Sequence, residues 1–315
     1  MDEMNLVLPE LLQAPNLRHL SLHGIGLPKR LLSSTIALST LSLTHIQGSY
    51  YFPPGHLVTQ LQCLPYLEEL SIGPLPSSKG ELLPAPIPPT TLPTLRQFTF
   101  RGEDVYLNNL LAQIDTPLLE RLNLTLLFDL DFTLANLTEF IHRTEGVECL
   151  VARVIFNKDG PSIDAGYNEQ WGAGKLNLQI NCEPLDWQIA SATQVCGTLG
   201  KVLSAVKELT LDLNVNGMPP DWENRLDSTL WHELLLPFIG LKKLHISSSL
   251  TLELSRSLES VAGGGLALEL LPELQVLEVH VDVSHSENAF SSFVETRQSM
   301  GRPVDLFYDW RDPIL

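Results

Sequence analysis

One short phrase returns along this chain and governs what it can fold into. It reads Ala14-Pro15-Asn16-Leu17-Arg18-His19-Leu20-Ser21-Leu22, a small residue and a proline leading into Leu-x-x-Leu-x-Leu. It comes back at Leu64–Ile72, Leu92–Phe100, Thr116–Leu124 and Leu271–Val279, and in looser form at Leu38–Leu43, Val206–Leu211 and Leu241–Ile246. The middle apolar position falls at 20, 41, 70, 98, 122 and 150, and later at 209, 244 and 277. These spacings begin near the roughly 20–29 residues of leucine-rich repeats and lengthen to about 33–35 late in the chain.

On a strand, Leu20 and Leu22 point to one face while His19, Ser21 and His23 point to the other. So short a strand cannot bury its own apolar face, so neighbouring copies must stack on it. The phrase therefore predicts an α/β fold: a single leucine-rich-repeat solenoid over residues 1–315, of about nine or ten turns. Its expected form is an irregular horseshoe, with short parallel strands on the concave face and helices and loops on the convex face. An irregular insert is expected over 157–200, where the phrase lapses, and a capping helix and strand over 286–315. Within the insert, Asn157-Lys158-Asp159-Gly160 reads as a turn followed by a polar loop to Gly174, and Leu176–Ile180 as a strand. Asp186 is placed to cap a helix from Trp187 to about Leu203, and Thr133 one that follows it. Pro74–Ser78 and Pro84–Pro89 predict an extended connection.

The formal charge of −17, from 37 acidic against 20 basic residues, disfavours nucleic acid and anionic membranes as partners. Cys63, Cys149, Cys182 and Cys196 lie far apart with no Cys-x-x-Cys pair, which predicts reduced thiols. The acidic start Met1-Asp2-Glu3-Met4 lacks the plan of a signal peptide, and the longest apolar stretch, Leu234–Leu241, is broken by Pro237. A monomer in the cytoplasm or nucleus is expected, with no membrane partner.

Two further blocks carry a resemblance. Trp231-His232-Glu233-Leu234-Leu235-Leu236-Pro237-Phe238 followed by Leu241-Lys242-Lys243-Leu244 resembles the W-x-E-L-L-x-P-F … V-K-x-L block of basidiomycete F-box proteins. Phe293-Val294-Glu295-Thr296-Arg297-Gln298 with Gly301-Arg302-Pro303-Val304 resembles that family's closing F-x-x-x-R-Q-x-x-G-x-P-V. The resemblance implies the substrate-recruiting, leucine-rich arm of a cullin-type ubiquitin ligase, in which an F-box binds a Skp1-type adaptor and the repeats hold the target. Leu8-Pro9-Glu10-Leu11 echoes the start of an F-box, yet the first repeat strand follows within a dozen residues. The chain is therefore expected to be a truncated product or to have lost a preceding segment, with the adaptor a partner only if an F-box lies upstream. The alternative is a stand-alone scaffold, or a truncated paralogue, with no link to ubiquitin transfer.

Signs of catalysis are weak. Gly172-Ala173-Gly174-Lys175 is followed by Leu176, with Glu169 where a phosphate loop places its first glycine. Gly263-Gly264-Gly265 reads as the end of a helix starting near Ser255. His19, His23, His280, Asp282 and His285 lack the spacing of a zinc site, and Asp129 and Asp131 read as solvated loop carboxylates. No catalytic residue, metal or cofactor is expected.

The outward strand positions are more informative. They include His19, Ser21 and His23; Gln97, Thr99 and Arg101; Arg121, Asn123 and Thr125; Val151 and Arg153; Glu208 and Thr210; Lys243 and His245; Glu278 and His280. Partner binding is expected on this face. Arg101, Arg121 and Arg153, from consecutive turns, are expected to stand as a ladder. Two readings of them stay open: an anion-reading patch, or a solvated row neutralised by Glu103, Asp104 and Glu120.

Overall fold

A computed structural model of the chain describes residues 16–24, 37–46, 51–75, 89–127, 134–144, 149–166, 175–182, 185–214, 228–262, 270–280 and 289–309. They belong to two compact units, Met1–Leu127 with Asp131–Val147, and Glu148–Leu315 with Phe128–Leu130. Both are mixed α/β with mostly parallel strands, and no barrel closes among the described residues.

The first unit carries β1 (His19–His23), β2 (Thr40–Thr44), α1 (Pro54–Leu61), β3 (Glu69–Ile72), β4 (Thr90–Thr91), β5 (Gln97–Gly102), α2 (Asp104–Gln113), β6 (Ile114–Asp115), β7 (Arg121–Leu127) and α3 (Ala135–Arg143). Strands β1, β2, β3, β5 and β7 pair in that order, all parallel. Leu20, Leu41, Leu70, Phe98 and Leu122 stand opposite one another in a single row. The row beside it, Leu22, Leu43, Ile72, Phe100 and Leu124, is buried throughout. The small β4–β6 pair is also parallel.

The second unit carries β8 (Val151–Asn157), β9 (Gly160–Ala165), β10 (Leu176–Asn181), α4 (Leu185–Thr198), α5 (Gly200–Leu203), β11 (Glu208–Leu213), α6 (Ser228–Leu235), β12 (Lys243–Ile246), α7 (Thr251–Ala262), β13 (Val276–His280), α8 (Ser291–Ser299) and β14 (Asp305–Asp309). Strands β8, β11, β12, β13 and β14 are parallel neighbours, and β9 runs antiparallel between β8 and β10. Their common row is Ala152, Leu209, Leu244, Leu277 and Leu306. The expected middle position at Leu150 is corrected by this register: Leu150 is 52% exposed and Ala152 takes the place.

The proline of the phrase has a visible reason. In Leu64-Pro65-Tyr66-Leu67 the Leu67 N–H donates to the Leu64 carbonyl at 3.2 Å, and Leu95 to Leu92 (3.3 Å), Leu119 to Thr116 (3.2 Å) and Leu274 to Leu271 (3.1 Å) do the same. Each is a β-turn with proline second, where its fixed φ is already correct. The turn buries its outer residues, while its third residue is exposed in three of the four turns, with Tyr66 59% and Leu118 50% exposed, and half-buried at Thr94.

A second contact repeats just after the turn. The N–H groups of Glu68 and Glu69 both donate to the Ser39 carbonyl, those of Arg96 and Gln97 to Glu68, and those of Glu120 and Arg121 to Arg96, all within 3.0 Å. In the second unit Lys242 and Lys243 share the Lys207 carbonyl, and Gln275 and Val276 share that of Lys242, again within 3.0 Å. At each of these steps one carbonyl thus receives two amides, whereas at the last step, among the described residues, the Gln275 carbonyl receives that of Asp305 alone.

Side chains tie the helices. Arg143, in the last turn of α3, donates through Nη2 to the carbonyls of Leu111 (3.0 Å) and Ile114 (3.4 Å). Arg297, fully buried in α8, donates through Nη1 and Nη2 to those of Leu271 and Leu274, both at 3.2 Å, with its guanidinium 5.9 Å from the Phe293 ring centre. Burial, with the charge of Arg302, lowers the Arg297 pKa. Trp231 and Phe238 of the first resembling block are fully buried, as are Phe293 and Arg297 of the second, so these members of both blocks are core residues.

Several expectations shift. The loop expected after Gly160 begins with β9, because Ile163 and Ala165 turn inward while Ser162 and Asp164 turn out. The helix expected from Trp187 to Leu203 is split into α4 and α5. The helix before the glycines starts at Thr251; Gly263-Gly264-Gly265 lie outside the described residues, as do Thr133, residues 84–88 of the proline-rich stretch, Asp129, Asp131, Asp282 and His285.

Candidate functional site on the open sheet faces

Alternation along each strand sends one set of side chains inward and the other to the open face. In the first unit that face has three rows. His19, Thr40, Glu69, Gln97 and Arg121 form one, Ser21, Ser42, Ser71, Thr99 and Asn123 the next, and His23 with Thr44 and Arg101 with Thr125 belong to the third. All are half-buried or exposed. His23 Nδ1 lies 3.2 Å from the Thr44 hydroxyl with its ring against His45, and Asn123 Nδ2 lies 3.5 Å from Thr99 Oγ1.

Arg101 and Arg121 are exposed, and neither has an ion-pair partner among the described residues. They do not form a ladder: Arg121 faces Gln97 and Arg101 faces Thr125, so the two lie in different rows. Nor does Glu120 neutralise Arg121, because it pairs with Arg96. Arg101 is flanked by Gly73, whose N–H donates to the Leu43 carbonyl at 2.8 Å. A Cβ on Gly73 would stand 1.9 Å from the Arg101 carbonyl oxygen, and its φ of +126° suits glycine.

The second unit's face is charged and internally matched. Arg153 pairs with Asp212 at 2.6 Å and Lys243 with Glu278 at 2.9 Å. His245 lies between two carboxylates, its Nε2 2.7 Å from Glu208 and its Nδ1 3.5 Å from Glu278. His280 Nδ1 is 3.5 Å from Asp309. Burial pushes the Glu278 carboxyl up, but the Lys243 hydrogen bond and the charges of His245, Lys243 and His280 outweigh it and hold the pKa below its ordinary 4.5. An open depression of about 500 Å³ lies beside these groups, lined by Lys243, Val276, Glu278, Phe307, Tyr308 and Asp309. Phe307 and Asp309, on the closing strand β14 inside the expected 286–315 cap, extend the face; their alternation with Leu306 and Tyr308 was the available signal.

No protein-family model matches this chain, and no curated protein does. The site therefore rests on its own chemistry. Among the described residues no cluster of three or more His, Cys, Asp or Glu side chains is arranged to hold a metal ion, and no helix is long and apolar enough to cross a membrane. Burial pushes the Cys196 thiol up to about 12, and burial, partly offset by Lys175, brings Cys149 to about 11, so both are protonated at neutral pH. What the faces offer is a broad polar surface on a rigid backbone, with hydroxyls, amides and fixed charges at regular spacing.

Proposed function

We propose that this chain is a non-catalytic protein-binding module, a leucine-rich-repeat solenoid resembling the substrate-recruiting arm of a fungal F-box protein. The observation that carries the reading is the parallel register of β1, β2, β3, β5 and β7 in one unit and of β8 and β11 to β14 in the other. It holds outward side chains from successive strands in fixed rows, which suits recognition of another chain by dispersed contacts. With the reading go a monomer working in the cytoplasm or nucleus and a protein target in place of nucleic acid or membrane.

The test is site-specific photocrosslinking in cell extract. Crosslinkers at Ser71, Asn123 and Thr210 sample the faces, and crosslinkers at the exposed helix residues His142 and Glu259 serve as controls. Adducts concentrated at the face positions are expected; equal labelling of face and helix positions would falsify the reading. Adding a Skp1-type adaptor separates its two forms. Co-purification with the adaptor supports the ligase arm, while face adducts without adaptor binding leave a stand-alone scaffold.

A further inference from the structure

Among the described residues, the first unit's face leaves two arginines without an ion-pair partner, in a chain with 37 acidic residues. The other described arginines on or beside strands β5, β7 and β8 are engaged: Arg96 with Glu120, and Arg153 with Asp212. Arg101 and Arg121 project from adjacent parallel strands four residues apart in register, since Arg121 faces Gln97. That offset is about 13 Å along the strand direction and about 5 Å across it. Between them lie Thr99 and Asn123, a hydroxyl and an amide able to bond a backbone laid over them. Glu69, two strands from Arg121 in the same row, repels an anion on the β3 side and confines it to β5 and β7.

We infer that this face holds an extended acidic peptide whose two carboxylate side chains stand four residues apart, one on Arg121 and one on Arg101. An extended chain advances about 13 Å in four residues, the same offset, and presents residues i and i+4 on one side. One guanidinium pairs bidentately with one carboxylate and balances its single charge. A phosphate, carrying close to two charges, is better served by clustered arginines, which this face lacks. Gly73 is a positioning residue here, because its missing side chain lets β3 end against the Arg101 backbone. The inference rests on the protein-binding reading and gives it a partner chemistry.

Fluorescence anisotropy with the full chain tests it, using labelled peptides of small polar residues. One carries glutamates at i and i+4, one adjacent glutamates, one glutamines, and one phosphoserines at i and i+4. Tightest binding is expected for the spaced glutamates, with Arg101→Gln and Arg121→Gln each weakening it about tenfold and Arg96→Gln leaving it unchanged. Equal affinity for adjacent glutamates, or indifference to the two face substitutions, overturns the spacing. Tighter binding of the phosphoserine peptide, or of a single-stranded oligonucleotide, overturns the carboxylate assignment. If every peptide fails while crosslinks at Ser71 and Asn123 persist, this inference falls and the protein-binding reading stands; if the crosslinks vanish too, both fall.

Discussion

On β11 to β14 the charges answer one another: Lys243 meets Glu278, His245 lies between Glu208 and Glu278, and His280 approaches Asp309. On β5 and β7 they do not, and hydroxyls and amides fill the rows around Arg101 and Arg121. The same backbone plan therefore carries two surface chemistries. A matched ionic face satisfies its charges internally, whereas Arg101 and Arg121 have no ion-pair partner among the described residues. The helix ties differ in the same direction, since Arg297 is fully buried and Arg143 only half-buried.

The largest expected effect tests those ties. Arg297→Leu strands the carbonyls of Leu271 and Leu274 and should cost on the order of 3 kcal/mol in chemical denaturation. Arg143→Leu should cost about half of that, because solvent reaches the groups it leaves. Equal losses would break the contrast between the units. Next, Gly73→Ala should cost about 2 kcal/mol, since it forces a side chain into a positive φ and against the Arg101 carbonyl.

The pH dependence comes third. The folded pKa of Glu278 is depressed, so its contribution is present above the unfolded value near 4.5 and is lost as pH falls through the lower folded value. Thermal melts at pH 7 and pH 3 should therefore differ more for the natural protein than for Glu278→Gln; identical differences would show the ionic ladder idle. The smallest effects compare single arginines. Arg153→Gln should lose at most about 1 kcal/mol with its Asp212 pair. Arg101→Gln and Arg121→Gln should change stability by less than about 0.5 kcal/mol, and a larger loss would mean that they serve folding.

Much of the strand order was legible because leucines two apart mark a face wherever polar residues separate them, as in Thr40-Leu41-Ser42-Leu43-Thr44. The rule fails at Cys149-Leu150-Val151-Ala152, where every side chain is apolar and alternation marks nothing. That slip also shifted an arginine: counted from Leu150, Arg153 stands three positions on, as Arg101 does from Phe98, whereas counted from Ala152 it stands one position on. Helix α1 had a signal, Pro54 at its first position, which is favoured at helix starts. The pairing of charges was not legible at all. His245 reaches Glu208 diagonally across neighbouring strands, 37 positions away in the chain, and such contacts exist only once the register is set.

The doubly used carbonyls between successive strands have an evolutionary consequence. Since Ser39, Glu68 and Arg96 all accept through the main chain, these backbone contacts require no particular side chain at those positions. A duplicated segment would bring its own docking point with it and dock on its ancestor's without a compensating change. Descendants can lengthen, shorten or reshuffle such a protein in whole steps, while its outward residues drift toward whatever they are selected to hold.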